Sequence, residues 1–277
     1  MQTKKTSYKI ESFPDGSVTE YLYAEELLND SGKILSSFYY TSDGSLLEHY
    51  RNEYDKQDRT LKTESFDADG ELIQRDTYTY ASDNDILRVV QKIDLPDGSA
   101  DSYVETYKDS FLLSSEFYRG NALMEVEKNV YEEGRLTQHL ISDAEGNELQ
   151  KESYSFDGAS LVIEKYMSGE LLQRETCLLD GDNIIEESFI SDGVQNKTLF
   201  KYDANGNMTE ETEYRDGMPV MTRYCKYNGN SLVEELVEDF AAKRAISQRS
   251  IEYDSQGRKI HEKDQYNHMR YIYEEVE

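Results

Sequence analysis

Residues 202–217 read YDANGNMTEETEYRDG, and this stretch decides the fold. It holds two Asp-and-Gly turn signals, at 203–206 and at 216–217, which lie on either side of an alternating segment. Side chains alternate between the two faces of an extended strand, so residues 208, 210, 212 and 214 share one face and residues 209, 211 and 213 share the other. The stretch therefore predicts one β-strand between two tight turns.

The same unit repeats along the chain. Between Gly120 and Gly229, successive glycines are 11 to 14 residues apart. Longer gaps near twice this period contain Asp or Asn where a glycine is expected, and these residues tolerate the left-handed backbone conformation better than other non-glycine residues. The substitutes are Asp58, Asn84 or Asp85, and Asp109. Short strands with D-G or N-G turns predict an all-β chain, a long antiparallel meander of roughly twenty strands.

This meander is predicted to form one repeat-built domain over residues 1–277. Open sheets of more than about ten strands usually curl, so we expect a curled or spiralling repeat sheet. Its tyrosine-rich face is expected to be buried and its glutamate-rich face to meet solvent. The irregular segment is the glycine-poor stretch at about 232–250, where a helical stripe and alternating strand residues fit almost equally well.

Composition limits the classes of partner. The chain has 57 acidic and 30 basic side chains and a formal net charge of −27. This charge repels nucleic acid and anionic membrane surfaces and attracts a basic protein. No run approaches the length of a membrane-spanning segment and the N-terminus lacks the apolar run of a signal peptide, so a cytoplasmic location is expected. Cys177 and Cys225 are expected to be small packing residues in a reducing compartment.

Three stretches carry a resemblance to a known family. YDANGNMTEETEY (202–214), YDSQGRKIHEKDQY (253–266) and FDADGELIQRDTYTY (66–80) resemble the YD repeats of bacterial Rhs and YD-repeat proteins, and degenerate copies cover most of the chain. In large toxins of that family the repeats build a spiralling sheet around a toxin domain. This chain is short for such a shell and has no Asp-Pro self-cleavage junction. Because short proteins with similar repeats occur at bacterial toxin loci, the resemblance implies an immunity protein that neutralises a toxin.

The sequence contains no recognised motif for catalysis or for cofactor binding. The four histidines show no metal-binding spacing, and no nucleophile elbow or phosphate-binding loop is present. The Asp67-Ala68-Asp69-Gly70 stretch has the oxygens of a calcium loop but not its full spacing, so turn chemistry explains it better. We therefore predict no enzyme activity, no cofactor and no metal, although a carboxylate pair acting on a glycoside stays open as a third alternative.

Aromatic and acidic runs are the candidates for partner binding. Paired tyrosines such as Tyr78 with Tyr80 either pack within the sheet or form binding surfaces. In Phe38-Tyr39-Tyr40, at least one ring must point away from the packed face. Breaks in a repetitive scaffold often carry function, which adds the acidic run near 234–240. The predicted contact residues are Tyr39, Tyr40, Glu234, Glu235, Glu238, Asp239 and Phe240.

These observations lead to a hypothesis of function. The chain is expected to be an immunity protein that occludes a basic bacterial toxin, such as a nuclease, through carboxylate steering and tyrosine contacts. The alternative is a structural or surface-associated repeat protein that binds carbohydrate on tyrosine platforms.

Overall fold

A computed structural model describes residues 2–13 and 15–276, and over these residues the chain is an antiparallel all-β meander of 22 strands. The predicted all-β antiparallel meander and its predicted number of about twenty strands are confirmed. The chain forms two compact units. Unit 1 consists of Met1–Val126 and Asn267–Glu277, and unit 2 consists of Glu127–Tyr266. Within the described residues, no helix is long and apolar enough to cross a membrane.

Unit 1 contains the first nine strands and the last one, and each of the first eight strands pairs antiparallel with the strand that follows it in sequence. These ten strands are β1 (Gln2–Ser12), β2 (Val18–Leu28), β3 (Ile34–Tyr40), β4 (Leu46–Tyr54), β5 (Thr60–Asp67), β6 (Leu72–Asp83), β7 (Ile86–Asp94), β8 (Ala100–Lys108), β9 (Phe111–Arg119) and β22 (His268–Val276).

Unit 2 contains eleven strands, and β10 (Ala122–Glu132) includes the boundary between the units. From β11 to β21 each strand again pairs antiparallel with the next. The strands of unit 2 are β11 (Arg135–Asp143), β12 (Glu148–Asp157), β13 (Ser160–Met167), β14 (Glu170–Asp180), β15 (Asn183–Ser191), β16 (Val194–Tyr202), β17 (Met208–Arg215), β18 (Met218–Asn228), β19 (Ser231–Asp239), β20 (Arg244–Tyr253) and β21 (Lys259–Lys263).

Left-handed turn residues separate the strands, as the repeat predicts. Gly206 has φ +81°, a backbone conformation that residues with a side chain rarely adopt. The space around it is open, so the backbone conformation and not crowding requires glycine. The residues predicted to replace glycine adopt the same conformation, since Asp58, Asn84 and Asp109 have φ of 58°, 52° and 49°. The prediction that the repeat continues through the glycine gaps is therefore confirmed at these turns.

The Tyr-Asp pair at the start of each full repeat has two separate structural roles. The Tyr202 hydroxyl donates to the Ile184 carbonyl oxygen on the preceding strand, at 2.8 Å. The Asp203 Oδ1 accepts from the backbone N–H groups of Asn205 and Asn207 at 2.8 and 3.0 Å, which holds the turn. The tyrosine bond recurs from Tyr54, Tyr80 and Tyr253 to carbonyls at or near the start of the preceding strand, and the aspartate bonds recur at Asp55 and Asp254.

The two ends of the chain pair with each other. β1 pairs antiparallel with β22 from Gln2↔Val276 to Lys9↔Met269, and with β2 on its other side. The expected curled or spiralling open sheet is therefore wrong at the termini, because β1 is not an edge strand. An unpaired edge leaves backbone N–H and C=O groups without partners, and the pairing of the terminal strands satisfies them.

The segment at about 232–250 consists of strands. β19 and β20 pair antiparallel from Glu234↔Ser250 to Asp239↔Arg244, with a register shift between Val237 and Glu238. The helical alternative is therefore wrong. The turn at 240–243 replaces the usual glycine by Lys243, which has φ 50°, and this substitution explains the lack of glycine.

Burial does not follow the expected separation of tyrosine from glutamate. Small side chains are the most buried, including Cys177 at 0% exposed, and both cysteines are free thiols within the sheet, as predicted. Glu26, Glu64 and Glu175 are also buried. In a sheet without a thick core, small side chains are covered by larger neighbours on the same face. The buried carboxylates form ion pairs with cationic side chains such as Lys5, Arg75 and Lys165.

Candidate functional site

The two predicted tyrosine contact residues take part in packing within unit 1. The Tyr39 ring meets the Tyr23 and Tyr50 rings edge-on, with centroids 5.9 and 6.0 Å apart, and burial raises the pKa of Tyr39. The Tyr40 hydroxyl donates to Glu25 Oε2 at 3.0 Å. Both rings are half-buried, so neither stands out from the sheet as a separate platform.

The predicted acidic run lies in unit 2 and is divided between two faces of β19. Glu234 and Glu238 point to one face, and Glu235 and Asp239 point to the other, because their register partners on β18 alternate. Lys226 Nζ binds Glu234 Oε2 at 2.6 Å, and Asp239 Oδ1 accepts from Ala242 N at 2.7 Å. The four acidic residues therefore do not form one patch. Glu234 pairs with a lysine of the neighbouring strand, and Asp239 stabilises the turn that follows β19.

Phe240 differs from the rest of that run. It lies in the turn after β19 with 43% of its surface exposed, and its backbone N–H donates to the Val220 carbonyl oxygen at 3.0 Å. Its side chain is exposed in the turn between β19 and β20, and its role as a contact residue stays a prediction.

A cleft in unit 1 brings tyrosines and carboxylates together on one face. Tyr78 and Tyr80 on β6 form one wall, and Glu105 and Tyr107 on β8 form the opposite wall. Val89 of the intervening strand β7 pairs with Tyr80 and with Glu105, so all three point to the same face. The floor consists of aliphatic side chains shorter than the flanking tyrosines, and this difference in height creates a cavity of about 520 Å³.

Turn residues line one end of this cleft and add negative charge. The full lining is Thr60, Tyr78, Tyr80, Asp85, Leu87, Val89, Glu105, Tyr107, Asp109 and Ser110. Among these described lining residues there are three carboxylates and three tyrosines, and none is Lys or Arg. We call this set the tyrosine-carboxylate cleft.

Hydrogen bonds fix the polar groups of the tyrosine-carboxylate cleft. Tyr107 donates to Glu105 Oε2 at 2.9 Å, and Tyr80 donates to the Thr60 carbonyl oxygen at 2.7 Å. Burial raises the pKa of Tyr78 and of Tyr80, and the nearby Glu105 charge contributes to both shifts. Both phenols stay neutral near pH 7, and the Tyr80 hydroxyl already uses its one proton in the bond to Thr60.

Sequence reasoning identified only part of this cleft. It noted Tyr78 with Tyr80 as an aromatic pair but did not name Glu105 or Tyr107 as contact residues. A usable signal was present, since Tyr-x-Tyr on β6 and Glu-x-Tyr on β8 flank Leu-x-Val on β7. That pattern becomes a cleft only if the register aligns the three pairs on one face, which the sequence does not specify.

A second concentration of charge lies in unit 2. Burial together with the charge of the neighbouring Glu175 carboxylate raises the pKa of Glu187. Lys165 Nζ lies 3.5 Å from Glu175 Oε2. Cys177 is buried beside them, and burial raises the pKa of its thiol to about 11, so the thiol is not a nucleophile near pH 7. Within the described residues, no group of three His, Cys, Asp or Glu side chains could hold a metal ion.

Comparisons with known proteins give structural similarities only. No protein-family model matches the chain, and no curated protein matches it. Among solved structures, a porin-like protein from Bacteroides uniformis ATCC 8492 has a TM-score of 0.36 at 9% identity, with 98% of this chain and 96% of that chain covered.

Two further structures are covered only in part. TcdB2-TccC3-Cdc42 has a TM-score of 0.18 at 10% identity, with 95% of this chain and 21% of that chain covered. TcdB2-TccC3 has a TM-score of 0.17 at 12% identity, with 91% of this chain and 18% of that chain covered. TM-scores this low support no conclusion about fold, partner or activity.

Proposed function

We propose that the chain is a non-catalytic binding protein for a basic protein partner. The observation that carries this proposal is the tyrosine-carboxylate cleft, which places three carboxylates and three tyrosines around one cavity with no cation in its described lining. Arg59 lies against the Tyr80 ring at the border of the cleft and is paired with Asp55. A partner's basic side chains would supply positive charge to the three lining carboxylates. Tyrosine adds large contact area at a low entropic cost, which suits a protein interface.

The net charge of −27 supports the same partner class. Long-range attraction accelerates encounter with a basic protein, and tyrosine contacts then slow its release. Many carboxylates pair with Lys or Arg inside the sheet, as Glu186 does with Lys197 at 2.7 Å. Such neutralised pairs contribute little to steering, so the cleft carboxylates matter more than the total number of acids suggests.

The biological role that we propose is neutralisation of a basic toxin, for example a nuclease, by occlusion. Its support is the resemblance to YD repeats, in which the Tyr and Asp have defined roles in this sheet. Occlusion needs no catalytic group, and a cytoplasmic location of the complex would follow from the role. Carbohydrate binding is the second candidate, since a cleft with tyrosine walls and hydrogen-bonding carboxylates also suits a sugar ring.

The test is capture of proteins from the native host on the immobilised full chain, at about 0.15 M and about 1 M salt. We expect retention of a basic protein at low salt and its release at high salt. The captured protein should be toxic when expressed alone and harmless when this chain is co-expressed.

Matched variants connect capture with the cleft. Glu105→Gln should weaken capture, whereas Glu116→Gln should not. Glu116 is the better control because Tyr118 donates to it at 2.6 Å, as Tyr107 does to Glu105, yet Glu116 pairs with Val104 and so faces the other side of the sheet. Retention of glycans and of no basic protein would contradict the proposal and favour the carbohydrate alternative.

A further inference from the structure

We infer that the tyrosine-carboxylate cleft receives the guanidinium group of an arginine side chain. This inference rests on the proposed function and specifies the ligand chemistry of the same site. It assigns separate roles to the two walls: the β6 wall supplies aromatic rings, and the β8 wall supplies the charge partner.

The dimensions of the cleft suit a flat cation. β6 and β8 are separated by one strand, so their backbones lie roughly 9.6 Å apart, at twice the spacing of neighbouring strands. Side chains of Tyr78 and Tyr80 rise on one side and Glu105 and Tyr107 on the other, above Leu87 and Val89. A planar guanidinium can lie against a ring while its N–H groups reach a carboxylate, which a compact ammonium does less well.

The β6 wall already binds a guanidinium within the chain. The Arg59 guanidinium carbon lies 4.3 Å from the Tyr80 ring centroid, and Arg59 Nε donates to Asp55 Oδ2 at 2.6 Å. A ring together with a carboxylate therefore holds one arginine at the border of the cleft. The same combination recurs at Arg270, which lies 4.4 Å from the Tyr8 ring centroid and donates to Glu20.

The β8 wall supplies an oriented carboxylate. Tyr107 donates to Glu105 Oε2 at 2.9 Å, which fixes the carboxylate against the wall. Tyr107 is thus a positioning residue for Glu105. Asp85 and Asp109 in the turns that line one end increase the negative potential. Because the floor is aliphatic, a guanidinium that enters is partly removed from water, and its attraction to Glu105 is strengthened.

A small probe tests the cleft without the protein partner. N-acetyl-arginine amide would be titrated into the full chain and followed by NMR of labelled tyrosine rings, with N-acetyl-citrulline amide as the neutral isostere. We expect the arginine probe to shift the Tyr78, Tyr80 and Tyr107 resonances and the citrulline probe to bind up to about fivefold more weakly, as loss of one partly exposed ion pair predicts.

Variants separate the roles of the walls. Glu105→Gln should weaken the arginine probe about fivefold, and Tyr107→Phe should weaken it about twofold, while Glu116→Gln leaves it unchanged. Val89→Phe fills the floor of the cleft and should abolish binding of the arginine probe while all charges stay in place. It therefore tests the cleft even if a charge variant disturbs folding. Equal binding of both probes, or unchanged affinity in Glu105→Gln, would overturn the inference.

The outcomes also distinguish the two proposals. Salt-sensitive capture of a basic protein without any binding of the arginine probe would retain the partner proposal and overturn the arginine cleft. Binding of the probe with no basic protein captured would support the cleft and overturn the partner proposal. Competition of the probe by a simple saccharide at equal affinity would overturn the cleft's preference for arginine.

Discussion

The Tyr202 hydroxyl and the Ile184 carbonyl oxygen are 2.8 Å apart at the open end of the β15–β16 hairpin. The bond joins the last residue of one strand to the beginning of its neighbour. A hairpin is held at its tip by the turn, and this bond holds the opposite end. The repeat thus contributes hydrogen bonds that stabilise both ends of the hairpin. A sheet without a thick core depends on such bonds more than a globular domain does.

Tyr202→Phe should remove the hydrogen bond to Ile184 with little change in the shape of the side chain. We expect a loss of about 1 kcal/mol in the free energy of unfolding, the usual contribution of one hydrogen bond whose acceptor is left partly buried. Urea denaturation followed by circular dichroism measures the loss. Tyr166→Phe is the control, because Tyr166 donates to Glu164 on its own strand and joins no two strands. An equal loss in both variants would contradict the role of the Tyr202 bond in holding the hairpin.

His49 lies between two phenylalanines, and its replacement should stabilise the protein. The Phe38 and Phe66 ring centroids lie 5.3 and 4.4 Å from the His49 ring, and the buried Nδ1 has no hydrogen-bond partner. His49→Phe should therefore raise the free energy of unfolding by about 1 kcal/mol at pH 7. His139→Phe should show no gain, since His139 Nδ1 has a partner, Asn129 Oδ1, at 2.9 Å.

The gain from His49→Phe should depend on pH. Burial, with a smaller contribution from the Arg51 charge, lowers the pKa of His49 below 6.5. The unfolded chain then binds more protons than the folded one, so the wild type loses stability as the pH falls below 6.5 toward the folded-state pKa. Melting temperatures of both proteins between pH 8 and pH 5 test this, and a constant difference would contradict it.

Glu187→Gln should stabilise unit 2 at neutral pH. Burial and the Glu175 charge raise the pKa of Glu187, so the folded state binds the proton more tightly and stability falls as the pH rises through that pKa. Removing the charge should raise Tm by about 1 to 2 °C at pH 7 and have no effect near pH 4, after allowance for solvent screening of a half-buried group. Glu186→Gln breaks a pair with Lys197 and should not stabilise, and a higher Tm there would contradict the assignment.

Arg270→Ala should loosen the pairing of the two chain ends. Arg270 on β22 lies over the Tyr8 ring of β1 and donates to Glu20 Oε1 of β2 at 2.7 Å. Loss of about 1 kcal/mol locally should increase amide exchange of β1 about fivefold. Arg174→Ala is the control because Arg174 is exposed and 3.8 Å from its carboxylate. Unchanged exchange in β1 would show that backbone pairing alone holds the ends together.

Part of the candidate site followed from sequence and part did not. The aromatic pair Tyr78 and Tyr80 was visible as a strand stripe, but its opposition to Glu105 depends on the β6–β7–β8 register. The acidic residues at 234–239 lie on two faces of β19 for the same reason. Neighbours in sequence alternate between faces, whereas residues far apart in sequence share a face when the register brings them together.

The sequence by itself determined the strands, the turns and their period. Gly206, and Asp58 at the glycine position of another repeat, adopt left-handed conformations through local backbone sterics. Alternating residues between such turns favour antiparallel strands. Tertiary structure alone decided that β1 pairs with β22 and that three strands align to form a cleft. Those outcomes depend on strand twist and register summed over many repeats, and no single repeat contains that information.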